Sequence, residues 1–256
     1  MQIKKQISSV KTGDIFQLGD HRLLCGDAKD KNNVEKLING DKIQLILTDP
    51  PYAIDYVNSK ADFKQKIAKA KTIENDQFQS EEDYSKFTKE WLSAVSSQLD
   101  KKNSIYIFNC DKMILALKQG MEDIGIYFSQ LLVWIKNNAV LGRKDYLPQH
   151  ELIAYGWLGG HIFHKAKDKS IFFVPKPNRS KLHPTMKPIP LLRKIILNST
   201  KVRDIVYDPF GGSGSTLIAC EQTKRKCLMI ELDIEYCQTI VDRYEKLTGI
   251  KAIKLN

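Results

Sequence analysis

The chain has 256 residues, 42% of them hydrophobic, with 40 Lys and Arg against 30 Asp and Glu and a net charge of +10. That is enough apolar material for one large core spanning residues 1–256, and the basic excess favours a polyanionic partner and salt-sensitive binding. Five cysteines without C-x-x-C spacing argue against zinc or a disulfide framework, and a polar start with no run near the ~20 apolar residues of a spanning helix argues against export or a membrane, which makes the cytoplasm the expected location.

The first strand candidate is Arg22 to Cys25, followed by Gly26-Asp27. The second is the apolar run through Ile43 to Thr48, which reads as a buried parallel strand and ends in Asp49-Pro50-Pro51-Tyr52. A Pro-Pro step cannot continue a sheet, so the chain turns outward in a fixed shape at the edge where α/β sheets keep their ligand crevices. Asp49 can accept a hydrogen bond from an amino group, the carbonyl of Pro50 can accept another, and Tyr52 offers a face for a flat ring. Together these residues describe a pocket for an aminated, planar base.

Residues 55–75 follow, with five lysines and no strong periodicity, and are expected to form a mobile lid over a substrate. Glu81 to Leu99 predicts a helix, because Tyr84, Phe87, Trp91, Val95 and Leu99 recur at three to four residues and form one stripe. Strands are predicted at Ser104 to Phe108, Gln130 to Ile135 and Glu151 to Tyr155.

Between Leu158 and Lys187 lie seven basic residues against the single acid Asp168, with Phe163, Phe172 and Phe173 interleaved. Lys165, Lys167, Lys169, Lys176, Arg179 and Lys181 are the expected contacts to the phosphates of a nucleic acid, and the phenylalanines are expected in the core. A helix at Ile189 to Asn198 begins just after Pro188 and holds Pro190 in its first turn.

Further on, a strand at Asp204 to Tyr207 runs into Asp208-Pro209-Phe210-Gly211-Gly212-Ser213-Gly214, and a helix is predicted from Ser215-Thr216 to Thr223. Glycines admit close approach of a ligand to the backbone, and the helix start offers unpaired N–H groups. No Lys follows the last glycine, so the phosphate-loop reading fails. The strand Lys226 to Ile230 then ends at Glu231, placed to grip both hydroxyls of a ribose, so the expected ligand is a nucleoside carrying a carboxylate rather than a pyrophosphate. A last helix is predicted at Ile234 to Leu247. Alternating strands and helices predict an α/β fold with a mostly parallel, seven-stranded sheet covered on both faces.

Taken together, Asp49-Pro50-Pro51-Tyr52, the Asp208 to Gly214 turn and His183-Pro184-Thr185-Met186-Lys187-Pro188 resemble the β-group of S-adenosylmethionine-dependent DNA amino-methyltransferases. Cys25-Gly26-Asp27, Trp134-Ile135-Lys136-Asn137 and Gln149-His150-Glu151 extend the likeness over nearly the whole chain. The resemblance implies a Rossmann-like methyltransferase fold with circularly permuted motif order and Glu151 to Tyr155 as one antiparallel strand. It also implies S-adenosylmethionine bound by Asp27, Asp208, Phe210, Gly211, Gly212, Ser213, Gly214, Ser215, Thr216, Glu231 and Lys187.

The implied reaction is methylation of the N6 amino group of adenine in DNA, with the base flipped out and Asp49, Pro50, Pro51 and Tyr52 as the catalytic element. Cytosine N4 is the alternative target, and a silent DNA- or nucleoside-binding module the alternative of another class. A cognate restriction endonuclease and a second copy of the chain are the further partners that the resemblance leaves open.

Overall fold

The computed structural model describes residues 10–53, 80–139, 145–165, 167–176 and 186–256. The lid expected at 55–75 lies outside the described residues, as do Arg179 and Lys181.

Five strands form a parallel centre: β2 (His21–Cys25), β3 (Ile43–Thr48), β4 (Leu99–Asn109), β9 (Ile205–Asp208) and β10 (Lys226–Glu231), in the order β2-β10-β9-β3-β4. Beyond β4 comes β6 (His150–Leu158), antiparallel both to β4 and to β5 (Ile126–Ile135) on its other side. This is the reversed strand expected from the resemblance, and the strand preceding β2 is a second, antiparallel to β2.

Among the described residues the sheet also contains four short strands that the sequence does not announce: β1 (Ile15–Leu18), β7 (Gly160–His161), β8 (Ile171–Phe173) and β11 (Ile253–Lys254). At two to four residues each they are too short for an alternating pattern, and they extend or cover the edges of the sheet.

Alternation along the central strands divides the core in two. On one face Leu45, Leu47, Tyr106, Phe108, Val206 and Met229 pack with helices α4 (Ile189–Ser199), α5 (Ser215–Thr223) and α6 (Ile234–Thr248). On the other, Ile46, Ile105, Ile107, Tyr207 and Ile230 pack with α1 (Lys31–Ile38), α2 (Glu81–Ser96) and α3 (Ile114–Glu122).

The predicted stripe of α2 is buried at Tyr84, Phe87, Trp91 and Val95, and Ser80 caps its start by accepting from the Asp83 N–H. Leu99 is a correction. The helix ends before it, because the Gln98 carbonyl accepts from Ile43 N–H and Leu99 opens β4 opposite Ile43. Among the described residues no helix is long and apolar enough to cross a membrane.

This topology creates one crevice. From β3 the chain crosses through α2 to β4, and from β9 it crosses through α5 to β10 on the opposite face and in the opposite direction. The adjacent pair β3 and β9 is thus the switch point, outside whose carboxyl ends an open α/β sheet holds its ligand.

Candidate active site

Four of the five parallel strands deliver a carboxylate to that one edge. β2 leads to Asp27, β10 ends on Glu231, β9 ends on Asp208, and β3 is followed directly by Asp49. Because β6 runs backwards, its second residue, Glu151, faces the same edge, beside Lys136 at the end of β5. All of these line one cavity of about 280 Å³, together with Pro50, Pro51, Tyr52 and the Gly-rich turn. Thr48 Oγ1 donates to Asp208 Oδ1 at 2.7 Å and ties the two halves together at the switch point.

The Gly-rich turn is held from three sides. Gly211 is required by space: a Cβ there would lie 2.8 Å from Met229 Cγ and Sδ. Gly212 N–H donates to Glu231 Oε2 at 2.6 Å, and Arg243 Nη1 donates to the Ser213 carbonyl at 2.7 Å. Gly214, at φ 78, precedes α5 without a side-chain cap, so the first turn of that helix keeps its N–H groups for another acceptor.

Glu231 also accepts from Asp233 N–H at 2.8 Å, which leaves a lone pair on each oxygen. Burial pushes its carboxyl up to about 7 against those two N–H bonds. Burial likewise pushes Asp208 up to about 7, although the Thr216 and Thr48 hydroxyls pull it down. The Phe210 ring, at the cavity wall, is backed edge-on by Trp91 with centroids 5.5 Å apart. Asp27 is partly open, with its side chain 45% exposed and Oδ1 accepting from Lys29 N–H.

At the other end of the cavity sits a buried charge cluster. Tyr52 OH donates to Asp49 Oδ1 at 2.6 Å, and the Lys187 ammonium is paired with Asp49 Oδ2. Lys187 Nζ lies 3.1 Å from Glu151 Oε2, whose other oxygen is 2.8 Å from Lys136 Nζ. Burial raises Glu151, yet Lys187 and Lys136 outweigh it and hold the carboxyl down at about 2. Burial also raises Asp49 against the pull of Lys187, and it raises the Tyr52 hydroxyl, which keeps its proton as donor. The tetrapeptide leaves through Ala53, left-handed at φ 55 with its methyl in the core, a strained exit at the site.

The expected site residues thus converge, with two changes of place. Lys187, assigned to the cofactor, is engaged instead with Asp49, Glu151 and Tyr52. The six expected phosphate contacts divide. Lys176 lines the cavity, with its N–H on Asn137 Oδ1, whereas Lys165, Lys167 and Lys169 lie beside the second half of α4. There Asp168 pairs with Lys194 and Asn198, and the Asn198 carbonyl accepts from His164 N–H. Since Lys187 lies just before Pro188, the N-cap of the 11-residue α4, the part of the helix beside those three lysines is roughly 10–15 Å along its axis from Lys187.

The phenylalanines divide too. Phe172 is buried, Phe163 is half-buried against Tyr155, and Phe173 is 75% exposed. Glu151 and Lys136 belong to matched motifs, but nothing in their spacing reveals that a reversed strand brings them to Asp49.

A family model described as DNA methylase matches residues 43–242. The chain is 28% identical over 260 residues to the type II methyltransferase M.HpaI of Haemophilus parainfluenzae, covering 88% of this chain and 74% of that one. It is 26% identical over 231 residues to M2.MboI of Moraxella bovis, covering 82% and 83%. Among solved structures, the M1.HpyAVI–SAM complex superposes with a TM-score of 0.63 at 25% identity, over 86% of this chain and 98% of that one. The cytosine-N4-specific PvuII DNA methyltransferase superposes with a TM-score of 0.66 at 17% identity over 89% of each chain, a likeness of fold alone. The matched region holds the Asp49 tetrapeptide, Lys187, the Gly-rich turn and Glu231, and the chain belongs to the DNA methylase family of N6/N4 amino-methyltransferases.

Proposed function

We propose that this chain moves a methyl group from S-adenosylmethionine to the N6 amino group of adenine in double-stranded DNA, on a base turned out of the helix. One observation carries the reading: Asp49 and the Glu231-anchored Gly-rich turn line a single cavity, joined by the Thr48–Asp208 bond.

The residues present fit the cofactor. Glu231, with a lone pair left on each oxygen, suits a ribose diol, the backed Phe210 ring suits a flat base, and the uncapped start of α5 suits a carboxylate. When bound, S-adenosylmethionine supplies a sulfonium methyl, an electrophile strong enough to need no further activation.

The task left to the protein is the nucleophile. An exocyclic amino nitrogen has its lone pair delocalised into the ring, and hydrogen bonds from its two N–H groups to Asp49 and the Pro50 carbonyl draw it toward tetrahedral geometry. The N–H becomes acidic as the nitrogen gains the methyl, so Asp49 can take the proton without being a strong base. Inside a duplex this amino group is out of reach, which is the reason for proposing base flipping.

Adenine is preferred because an Asp at the first tetrapeptide position is more usual for adenine in the resembling family. Sequencing DNA from cells that express the chain, with detection of modified bases, tests the reading. N6-methyladenine at a fixed site is expected. N4-methylcytosine alone would overturn the choice of base, and unmodified DNA the whole reading.

DNA contact is proposed for Lys176 at the rim before Lys165, Lys167 and Lys169. Lys176→Ala is expected to reduce the slope of log affinity against log salt by about one. Substituting the other three together should change it less, and the reverse order would move the DNA to the α4 side. A cognate endonuclease is the protein partner that the type II designation of both relatives supports.

A further inference from the structure

The geometry points to Lys187 as a positioning residue of methyl transfer: its ammonium is shared between Asp49 and Glu151, and arrival of the substrate amino group shifts it from the first carboxylate toward the second. This role rests on the proposed reaction at the same site.

The hydrogen-bond count motivates it. Lys187 has three N–H donors and is 7% exposed; its three acceptors are Asp49 Oδ2, Glu151 Oε2 at 3.1 Å and the Tyr52 hydroxyl oxygen at 3.3 Å. Asp49 Oδ1 meanwhile accepts from Tyr52 OH. Both Asp49 oxygens are therefore engaged before a substrate arrives, and an amino N–H aimed at Oδ2 must compete with an ammonium.

Glu151 supplies the alternative. It is fixed on the other side by Lys136 at 2.8 Å, so it stays in place when Lys187 turns to it. Two lysines against two carboxylates leave the cluster without net charge, so moving the ammonium between its partners buries no new charge. The carboxylates sit at the edge of a packed sheet, whereas Lys187 reaches them on a four-carbon stem, which makes the lysine the movable part.

The same arrangement maintains the charge of Asp49. Burial and the neighbouring Glu151 both raise its carboxyl, and Lys187 is the strongest opposing influence. A neutral Asp49 would hold an amino N–H poorly. Among the described residues, the other titratable groups facing the cluster are Asp208 on β9, Tyr84 on α2, and Cys110, Asp111, His150 and Lys176 on the cavity wall. All of them are present in each variant below.

The test is the pH profile of kcat, with an unmethylated DNA duplex carrying the site found modified in cells, for the wild type, Lys187→Met, Lys187→Arg and Glu151→Gln. Calorimetric binding of S-adenosylmethionine serves as the measure of folded protein. In Lys187→Met, kcat should fall roughly 10- to 100-fold near neutrality, the effect of a lost charge-assisted hydrogen bond, and the acid limb should move to higher pH. Lys187→Arg should restore the limb while recovering kcat in part.

Glu151→Gln should move the acid limb the other way, to lower pH. It should also raise KM for DNA, since the amino group then displaces an ammonium with nowhere else to go. Opposite movements of the limb support the proposal. Losses that are equal at every pH, with unmoved limbs, would reduce Lys187 and Glu151 to structural residues. If Lys187→Met does not bind the cofactor, the direction of the Glu151→Gln limb decides alone. A wild-type protein that methylates no duplex would overturn the proposed function itself, an outcome distinct from active variants with unmoved limbs.

Discussion

Asp49→Ala is expected to lower methyl transfer by roughly 10²- to 10⁴-fold, the range for removing a group that both holds and polarises the reacting atom. The physical reason is specific to an amino nucleophile. Without the carboxylate, the nitrogen keeps its lone pair in the ring and presents an N–H edge instead of a nucleophile.

Cofactor affinity should change little, because Glu231, Phe210 and the start of α5 are anchored by Asp233, Trp91 and Arg243 rather than by Asp49. The variant also leaves Lys187 with one carboxylate fewer in a buried site, and a loss of stability on the order of 3 kcal/mol follows. Single-turnover transfer with cofactor already bound, at a temperature well below the melting point of the variant, separates the two effects. A variant within tenfold of the wild-type rate would remove Asp49 from the chemistry.

Asp49 and Glu231 are legible in the sequence for the same reason. An apolar run fixes where a strand stops, and a carboxylate placed directly after the run has only the sheet edge to occupy. The Gly-rich turn is legible because glycine marks a close approach, which at Gly211 is to Met229 beneath it.

Lys187 is not legible in this way. Its partners Asp49 and Glu151 lie 138 and 36 residues away, and their meeting depends on β6 running backwards next to β4 and on Lys187 reaching both carboxylates from just before α4. The resemblance supplies the reversed strand, but no periodicity says which lysine it meets.

The basic segment divides for a related reason. Seven positive charges close together in sequence read as one face, yet β8 pairs beside β5 and carries Lys176 to the cavity rim, while Asp168 fastens the earlier lysines to α4. Charge density along the chain says nothing about the turn between them.

Glu231→Ala is expected to weaken S-adenosylmethionine binding by about 3 kcal/mol, or ~100-fold, at about pH 8, the scale of charge-assisted hydrogen bonds to two hydroxyls. Part of that loss is indirect, because Gly212 and Asp233 N–H groups lose their acceptor and the turn they hold loosens. The pH dependence distinguishes this carboxylate from a merely structural one.

Its carboxyl is raised from 4.5 to about 7 in the protein without ligand, so the group contributes stability below its unfolded value, and that contribution is lost as pH rises through about 7. Ligand hydroxyls favour the ionised form. Wild-type affinity should therefore rise with pH through that range, and the gap to Glu231→Ala should narrow toward about pH 6, where the wild type is itself largely protonated. Burial pushes Asp208 up to about 7 as well, and it remains in the variant, so the pH dependence left in Glu231→Ala is the reference against which the contribution of Glu231 is read. Calorimetry at several pH values reads both quantities. A gap that stays constant across the range would mean that Glu231 only props the turn, and that another group holds the ribose.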